Sequence, residues 1–369
     1  MTPAHAAAKS NRITRLFGTE VPVVLGPFGG VSSVELTAAV SDGGGLGSYG
    51  LYGFGADAIR NTAAELRAAT AKPFALNLWV PTGDEVTDLA QEDFDNYVET
   101  LRPYFDEAGV PLPQMPDRYL TDYEEQVEAT LEAAPAVVSF VFGVPAPDLV
   151  EEAHRRGIVV VGTATTVAEA VALEAGGVDA VVASGMESGG HRVSFLKPAE
   201  ESLTGTFALV PQVSDAVGIP VIAAGGIADR RGYAAALALG ADAVQVGSAF
   251  LATRESAAVP AYRAVLHSPA AGQTVLTRAL SGRLARGIPN RIIAELSELS
   301  GAGGIAPFPV QNWLTGRFRP QAAAQGNTEL MSLWAGQAAS LIRHESAADV
   351  LAELLAGSPS AAGNAPDHR

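Results

Sequence analysis

The chain has 369 residues, of which 48% are hydrophobic and 17% charged, and it carries a formal net charge of −16. That size supports a large core without covalent staples. The acidity argues against a nucleic-acid partner, which needs clustered Lys and Arg for its phosphates, and the absence of cysteine excludes disulfides, iron–sulfur clusters and thiolate zinc sites.

The opening MTPAHAAAKSNRITRLFG lacks the apolar core of a secretory signal. No apolar run reaches the roughly 18 residues that would span a bilayer, so the expectation is a cytoplasmic protein with no membrane partner. Short apolar, β-branched runs then recur along the chain. They are VPVVLG from Val21, GGLGSY from Gly44, FALNLWV from Phe74, AVVSFVFG from Ala136, GIVVVGTA from Gly157, DAVVASG from Asp179, IPVIAAGG from Ile219 and DAVQVGSAF from Asp242. Continuous apolar runs mark parallel strands buried on both faces. Helical stretches such as TVAEAVALEAG and RGYAAALALG lie between them and close on glycine.

Eight β/α units predict an α/β (β/α)8 TIM barrel, with a doubly wound sheet as the competing arrangement. The barrel is expected over 1–254, with a helical insertion at about 81–135. A mainly helical substrate or capping domain is expected over 255–340, a helix returning to the barrel over 341–356, and a disordered Gly/Pro/Ala/Ser tail over 357–369.

Gly45-Leu46-Gly47-Ser48-Tyr49-Gly50 is formally GxGxxG, but it follows a helical segment instead of a strand, so it is not read as a dinucleotide fingerprint. The stronger signal is AAGGIADRRGYAAALALGADAVQVGSAF. Gly225 and Gly226 end the seventh run, and Gly247 and Ser248 end the eighth. Barrel loops after strands seven and eight commonly hold a phosphate through backbone N–H groups, for which glycine permits close approach. Tight loop packing is the alternative use of the same glycines. The segment GMESGGHR delivers His191 from a glycine pair, Gly189-Gly190, at the end of the sixth run. An imidazole with an ordinary pKa near 6.5 would suit a base near neutral pH, although a solvated turn is equally open from these residues alone. His5, His154, His267, His344 and His368 lie in helical or terminal sequence and read as surface or packing residues. Trp313 and Phe318 could line a pocket, while Trp334 reads as core. There is no HExxH, no His pair at ligand spacing and no GxSxG, so neither a metal nor a serine nucleophile is expected.

From about Val21 to about Arg343 the motifs VVLGPFGG, FALNLWV, GTATTVAEA, GMESGGHR, AAGGIADRRG, VQVGSAF, SGRLARGIPNR and SLWAGQ run in the order that resembles the nitronate monooxygenase family, formerly called 2-nitropropane dioxygenases. The resemblance implies a TIM barrel with an added helical domain, non-covalent FMN, and oxidation of alkyl nitronates, and possibly nitroalkanes, by dioxygen to carbonyl compounds and nitrite. It assigns His191 as the catalytic histidine. Gln245, Val246, Gly247, Ser248 and Gly226 match phosphate-proximal FMN positions, with Gly225 beside them. Asn77 and Gly189 match flavin contacts, with Gly190 next in the loop, and Pro27, Phe28 and Gly29 form the loop against the isoalloxazine. Ser184 stands where the family typically has Gln, Ser188 where it often has Ala, and Phe28 where it often has Met. Glu187 and Arg192 flank the loop, either orienting His191 or remaining solvated. The alternatives are an FMN-dependent NAD(P)H reductase, of quinone or enoyl-acyl-carrier type, and a flavin-binding barrel with no turnover. Oligomeric state is not legible.

Overall fold

The computed structural model describes residues 11–299 and 303–358. His5, His368 and the expected tail from residue 359 onward lie outside the described residues. In chain order the strands are β1 (Val23–Leu25), β2 (Gly47–Gly50), β3 (Phe74–Trp79), β4 (Val137–Val141), β5 (Val159–Ala164), β6 (Ala180–Ser184), the two-residue β7 (Gly190–His191), β8 (Val221–Ala224) and β9 (Ala243–Val246). All but β7 form one parallel sheet in the order β1-β9-β8-β6-β5-β4-β3-β2. A parallel bridge between Val24 and Leu46 joins the two ends, with Leu25 N–H donating to the Leu46 carbonyl at 2.9 Å. The fold is a (β/α)8 TIM barrel; seven of the eight apolar runs contain a whole strand, and the second holds all of β2 but Gly50.

Side-chain parity divides the buried residues into two layers, because successive strand residues face opposite ways. Val24, Ala75, Val137, Val161, Val182, Ile222 and Ala243 pack together inside the barrel. Ile13 and Phe17, from the helix Arg12–Phe17, pack with them. Their neighbours Leu25, Leu76, Val138, Val160, Val181, Val221 and Val244 belong to the layer shared with the helices. Continuing the inward parity toward the C-terminal strand ends gives Asn77, Trp79, Val141, Thr163, Ser184, Ala224 and Gln245. The site is made there.

The GxGxxG glycines serve packing. They lie between the helix Val34–Asp42 and β2. A Cβ on Gly47 would sit 2.0 Å from the Thr37 carbonyl oxygen, so the helix could not lie this close to the strand.

Two excursions from the repeat meet each other. The helix Gln91–Ala108, within the first, packs on the helix Val310–Ala324, within the second. Phe105 meets Phe318 edge-on at 5.1 Å and Phe94 meets Trp313 at 6.2 Å. The helix Ala347–Leu355 then packs on Val34–Asp42 and Arg230–Ala238, on the barrel wall. Residues 255–340 also hold two strands that the sequence reading did not anticipate, β10 (Val275–Thr277) and β11 (Ala285–Gly287). β11 pairs with both β10 and β7, placing Ala285 opposite His191. Three-residue strands are too short to show an alternation, and Arg286 interrupts the apolar character of β11. No helix among the described residues is long and apolar enough to cross a membrane.

Candidate active site

A cavity of about 540 Å³ opens at the C-terminal ends of the strands, a size typical of small-molecule and cofactor sites. The inward-facing residues identified by parity, Asn77, Trp79, Val141, Thr163, Ser184, Ala224 and Gln245, all line it. So do Pro27, Phe28 and Gly29 from the first loop, Gly189, Gly190 and His191 from the sixth, and Gly225, Gly226, Gly247 and Ser248 from the last two. Of the catalytic and flavin-contact positions that the resemblance assigned, Val246 alone does not line the cavity. It is 1% exposed and packs in the strand–helix layer, the opposite parity from Gln245.

At one end the surface is mostly backbone. Gly225 and Gly226 have φ of +100° and +73°, in the left-handed region that favours glycine. Neither N–H donates to a protein group among the described residues. A Cβ on Gly225 would come within 2.7 Å of Ser188 Oγ and 2.9 Å of Thr206 Oγ1. Ser248 Oγ accepts from Gly336 N–H at 2.9 Å, leaving its own proton to donate elsewhere. Glu187 also borders this region, but its carboxylate is occupied. It accepts from Thr206 N–H and Thr206 Oγ1, both at 2.9 Å, at the start of the helix Thr206–Ala216.

In mid-cavity, Asn77 Nδ2 donates to the Ser139 carbonyl and hydroxyl at 3.1 and 3.0 Å, which leaves Oδ1 without a protein donor. Two of the three departures from the family pattern touch one another, since Ser184 Oγ donates to Ser188 Oγ at 3.0 Å. Arg192 is not solvated. At 1% exposure it donates to the carbonyls of Gly185 and Ser184 at 2.7 and 2.9 Å, tying the His191 loop to the end of β6. Neither Glu187 nor Arg192 contacts the imidazole.

The other end is built of side chains. His191 stands among Trp79, Trp334 and Phe142, with ring centroids at 5.0, 5.6 and 6.3 Å. Trp334, expected in the core, thus lines the cavity, whereas Trp313 and Phe318 pack within the excursions away from it. The polar partner of His191 is Ser281, whose Oγ lies 2.8 Å from Nε2. Sequence reading missed Ser281 because it lies 90 residues away, and only the quoted motif SGRLARG marked its neighbourhood. Ser281 Oγ also donates to the Arg283 carbonyl at 3.1 Å. The direction of the Nε2–Ser281 bond is set by the imidazole tautomer, since the hydroxyl can donate or accept. Burial, then the guanidinium groups of Arg283 and Arg319, push the His191 pKa down to about 3. This differs from the ordinary value assumed from the sequence, where none of these neighbours is visible. Arg283 lies over the Phe142 and Phe308 rings at 4.4 and 4.0 Å and pairs with Glu85 at 2.9 Å. Arg319 reaches the cavity from the helix Val310–Ala324.

The profile of the nitronate monooxygenase family matches residues 10–357. A probable nitronate monooxygenase of Staphylococcus aureus (strain Newman) is 36% identical over 346 residues, which cover 94% of this chain and 96% of the relative. One from Staphylococcus saprophyticus is 37% identical over 340 residues, 92% and 94% of the two chains. Among solved structures, the nitroalkane oxidase of Streptomyces ansochromogenes superposes with a TM-score of 0.83 at 36% identity, covering 95% of this chain and 98% of that one. FabK of Thermotoga maritima gives 0.73 at 31% identity, with coverage of 94% and 95%. With a family match along nearly the whole described chain and relatives above one-third identity over almost their full lengths, the chain belongs to the nitronate monooxygenase family, a family of oxidoreductases.

Proposed function

We propose that the cavity binds FMN and that the protein oxidises alkyl nitronates with dioxygen, giving carbonyl compounds and nitrite. The observation that carries this reading is the pairing, in one cavity, of unengaged backbone donors at Gly225 and Gly226 with His191 in an aromatic enclosure. The residues present suit the cofactor. Backbone N–H groups of Gly225 and Gly226 and the Ser248 hydroxyl would hold the phosphate, since oriented amides bind anions without basic side chains. The free Asn77 Oδ1 would accept from a ring N–H, and the Pro27–Phe28–Gly29 loop would support the ring. Among the described residues no separate dinucleotide-binding unit stands beside the barrel to hold an adenosine, which favours FMN over FAD. The redox chemistry, electron acceptance from the substrate and delivery to dioxygen, is what FMN supplies when bound.

The remaining work falls to side chains. Trp79 and Trp334 exclude water from a planar substrate. His191 stays neutral across the physiological range, so one of its ring nitrogens carries a lone pair. Lowering its pKa from 6.5 to about 3 raises the neutral fraction at pH 7 by less than about twofold, while basicity falls by roughly three orders of magnitude. The loss outweighs the gain, so the preformed nitronate is the favoured substrate and proton abstraction from a neutral nitroalkane is the slower reaction. Similarity to a nitroalkane oxidase keeps that slower reaction as the second reading.

Two measurements test the proposal. Mass spectrometry of the released cofactor should show FMN, and oxygen electrode assays should show uptake with ethyl- or propyl-nitronate together with nitrite formation. FAD in the first, or no uptake with any alkyl nitronate in the second, contradicts it.

A further inference from the structure

Arg319 is a cation without a counter-ion. It forms no ion pair with any described residue, and burial lowers its pKa to about 10, which still leaves it charged at neutral pH. Its donors are only partly used. Nη1 donates to Ser332 Oγ, and Nη2 to the Asn312 carbonyl and Oδ1 at 3.2 and 2.9 Å, while the buried Nε has no partner. Arg319, Asn312 and Tyr52 all line the cavity.

The direction of the hydrogen bonds here is forced. A guanidinium only donates, so Asn312 must turn Oδ1 toward Arg319 and Nδ2 toward Tyr52. Nδ2 donates to Tyr52 Oη at 2.9 Å. The phenol oxygen is therefore an acceptor in this bond, its own hydrogen is not engaged by any described residue, and burial keeps it protonated by raising its pKa. The chain Arg319–Asn312–Tyr52 thus presents donors and one unbalanced positive charge to the cavity, beside the aromatic face of Trp79, whose ring centroid lies 4.3 Å from that of Tyr52. Arg319 also acts electrostatically on His191, so its charge is felt where the imidazole stands.

A desolvated cation with no partner destabilises the free protein, and an anion placed beside it removes that cost. With both Nη2 hydrogens committed to Asn312, Arg319 offers an anion its charge and its remaining hydrogens, and the Tyr52 hydroxyl supplies a separate donor for the second oxygen of a planar group. We propose that Arg319 and Tyr52 anchor the anionic, planar two-oxygen end of the substrate and set the preference for an ionised nitronate over its neutral nitroalkane. The identity of the substrate rests on the functional reading above; the anion site does not.

Nitrate, planar and anionic, is the probe. Purified protein as isolated is titrated calorimetrically with sodium nitrate at constant ionic strength, and wild type should show saturable binding. Arg319→Met should weaken nitrate by about 10- to 150-fold, the range for hydrogen bonds to a charged group. Arg319→Lys should fall between, keeping the charge but losing the bonds that orient it on Asn312, and Tyr52→Phe should lose about 3- to 10-fold. In turnover, Arg319→Met should raise KM for a nitronate more than it lowers kcat and leave kcat/KM for the nitroalkane within about threefold, so that discrimination collapses. If Arg319→Met does not fold, Arg319→Lys and Tyr52→Phe give the same ordering. Unchanged nitrate affinity in the variants overturns the proposal, as does an equal loss on nitronate and nitroalkane. So does a shifted flavin spectrum with intact nitrate binding, which would assign the guanidinium to the flavin. Nitrate binding lost in the variants of a protein that oxidises no nitronate would sink the functional reading and leave the anion site standing.

Discussion

At the β8–β9 end of the cavity the chain presents backbone, the N–H groups of Gly225 and Gly226. At the opposite end it presents side chains from distant segments: Tyr52, His191, Arg319 and Trp334. The first end is made by the barrel repeat itself, where two adjacent strands stop at glycines. The second is made where the excursions fold back over the barrel, with β11 holding β7 and the helix Val310–Ala324 supplying Arg319. Backbone donors bind an anion without depending on side-chain identity, so that end suits a constant ligand. The side-chain end can change residue by residue, and this is where substrate choice is expected to reside.

The largest expected effect breaks the backbone end alone. Gly225→Val places a Cβ against Ser188 and Thr206 and forces a β-branched residue to φ +100°. It should yield folded, colourless protein with FMN affinity lowered by at least about 100-fold. Gly226→Val faces the same restriction on φ but has open space, its nearest neighbour being Glu187 Cβ at 3.7 Å, so it should lose less. Fluorescence titration with FMN orders the two, and a reversed order would show that contacts at Gly225 do not shape the site.

The next test breaks the other end. His191→Asn should lower kcat/KM on neutral nitroalkanes by only about tenfold, below the 10²–10⁴-fold of a base whose pKa matches the working pH, and change turnover of preformed nitronates by less than about threefold. FMN content should not change. In the wild type, kcat/KM for nitroalkanes should show no inflection near pH 6.5, because burial and the two guanidinium groups hold His191 neutral down to about pH 3. A clear ionisation at 6.5 assigned to His191 would contradict the packing described for it.

The same depression links to stability. Between pH 6.5 and about 3 the unfolded chain protonates His191 and the folded chain does not. Folding stability therefore falls as pH drops through that window, and this contribution is fully present above 6.5. His191→Gln should flatten that part of the stability profile, measured by urea unfolding at pH 7 and pH 4.5. Equal slopes in both proteins would place the charged imidazole comfortably in the folded state.

Much of the fold was legible because the repeat is local. Seven of the eight barrel strands lie within an apolar run and β2 overruns its own by one residue, and parity along Ala75–Asn77–Trp79 or Ala243–Gln245 already separates cavity from wall. The same parity puts Val246 in the wall and its neighbour Gln245 in the cavity. Gly225, Gly226 and His191 were legible because glycine restricts what a strand end can be. What could not be read was pairing across long separations. Ser281 meets His191, Asn312 bridges Tyr52 and Arg319, and β11 catches β7, and each needs the excursions folded first. Trp334 looked like core because an apolar ring in a helix-rich segment carries no sign of which side faces a cavity.

The smallest effect concerns the pair Ser184 and Ser188. Ser184→Gln alone must displace the Ser188 hydroxyl and should shift substrate preference by a few-fold with FMN retained. Adding Ser188→Ala relieves the crowding, so the double variant should bind FMN at least as well as the single one. Additive behaviour of the two changes in a double-mutant cycle would show that the serines act separately.

The central claim, a flavin held by the barrel's glycine loops and reduced by an anionic nitronate at the His191 end, is tested most directly by anaerobic mixing. Purified protein is mixed with propyl-nitronate, or separately with NADH, while the flavin absorbance near 450 nm is followed. Loss of the yellow absorbance with the nitronate, and none with NADH over the same interval, is the result expected here. Bleaching by NADH with the nitronate inert would make the protein a reductase and contradict the account.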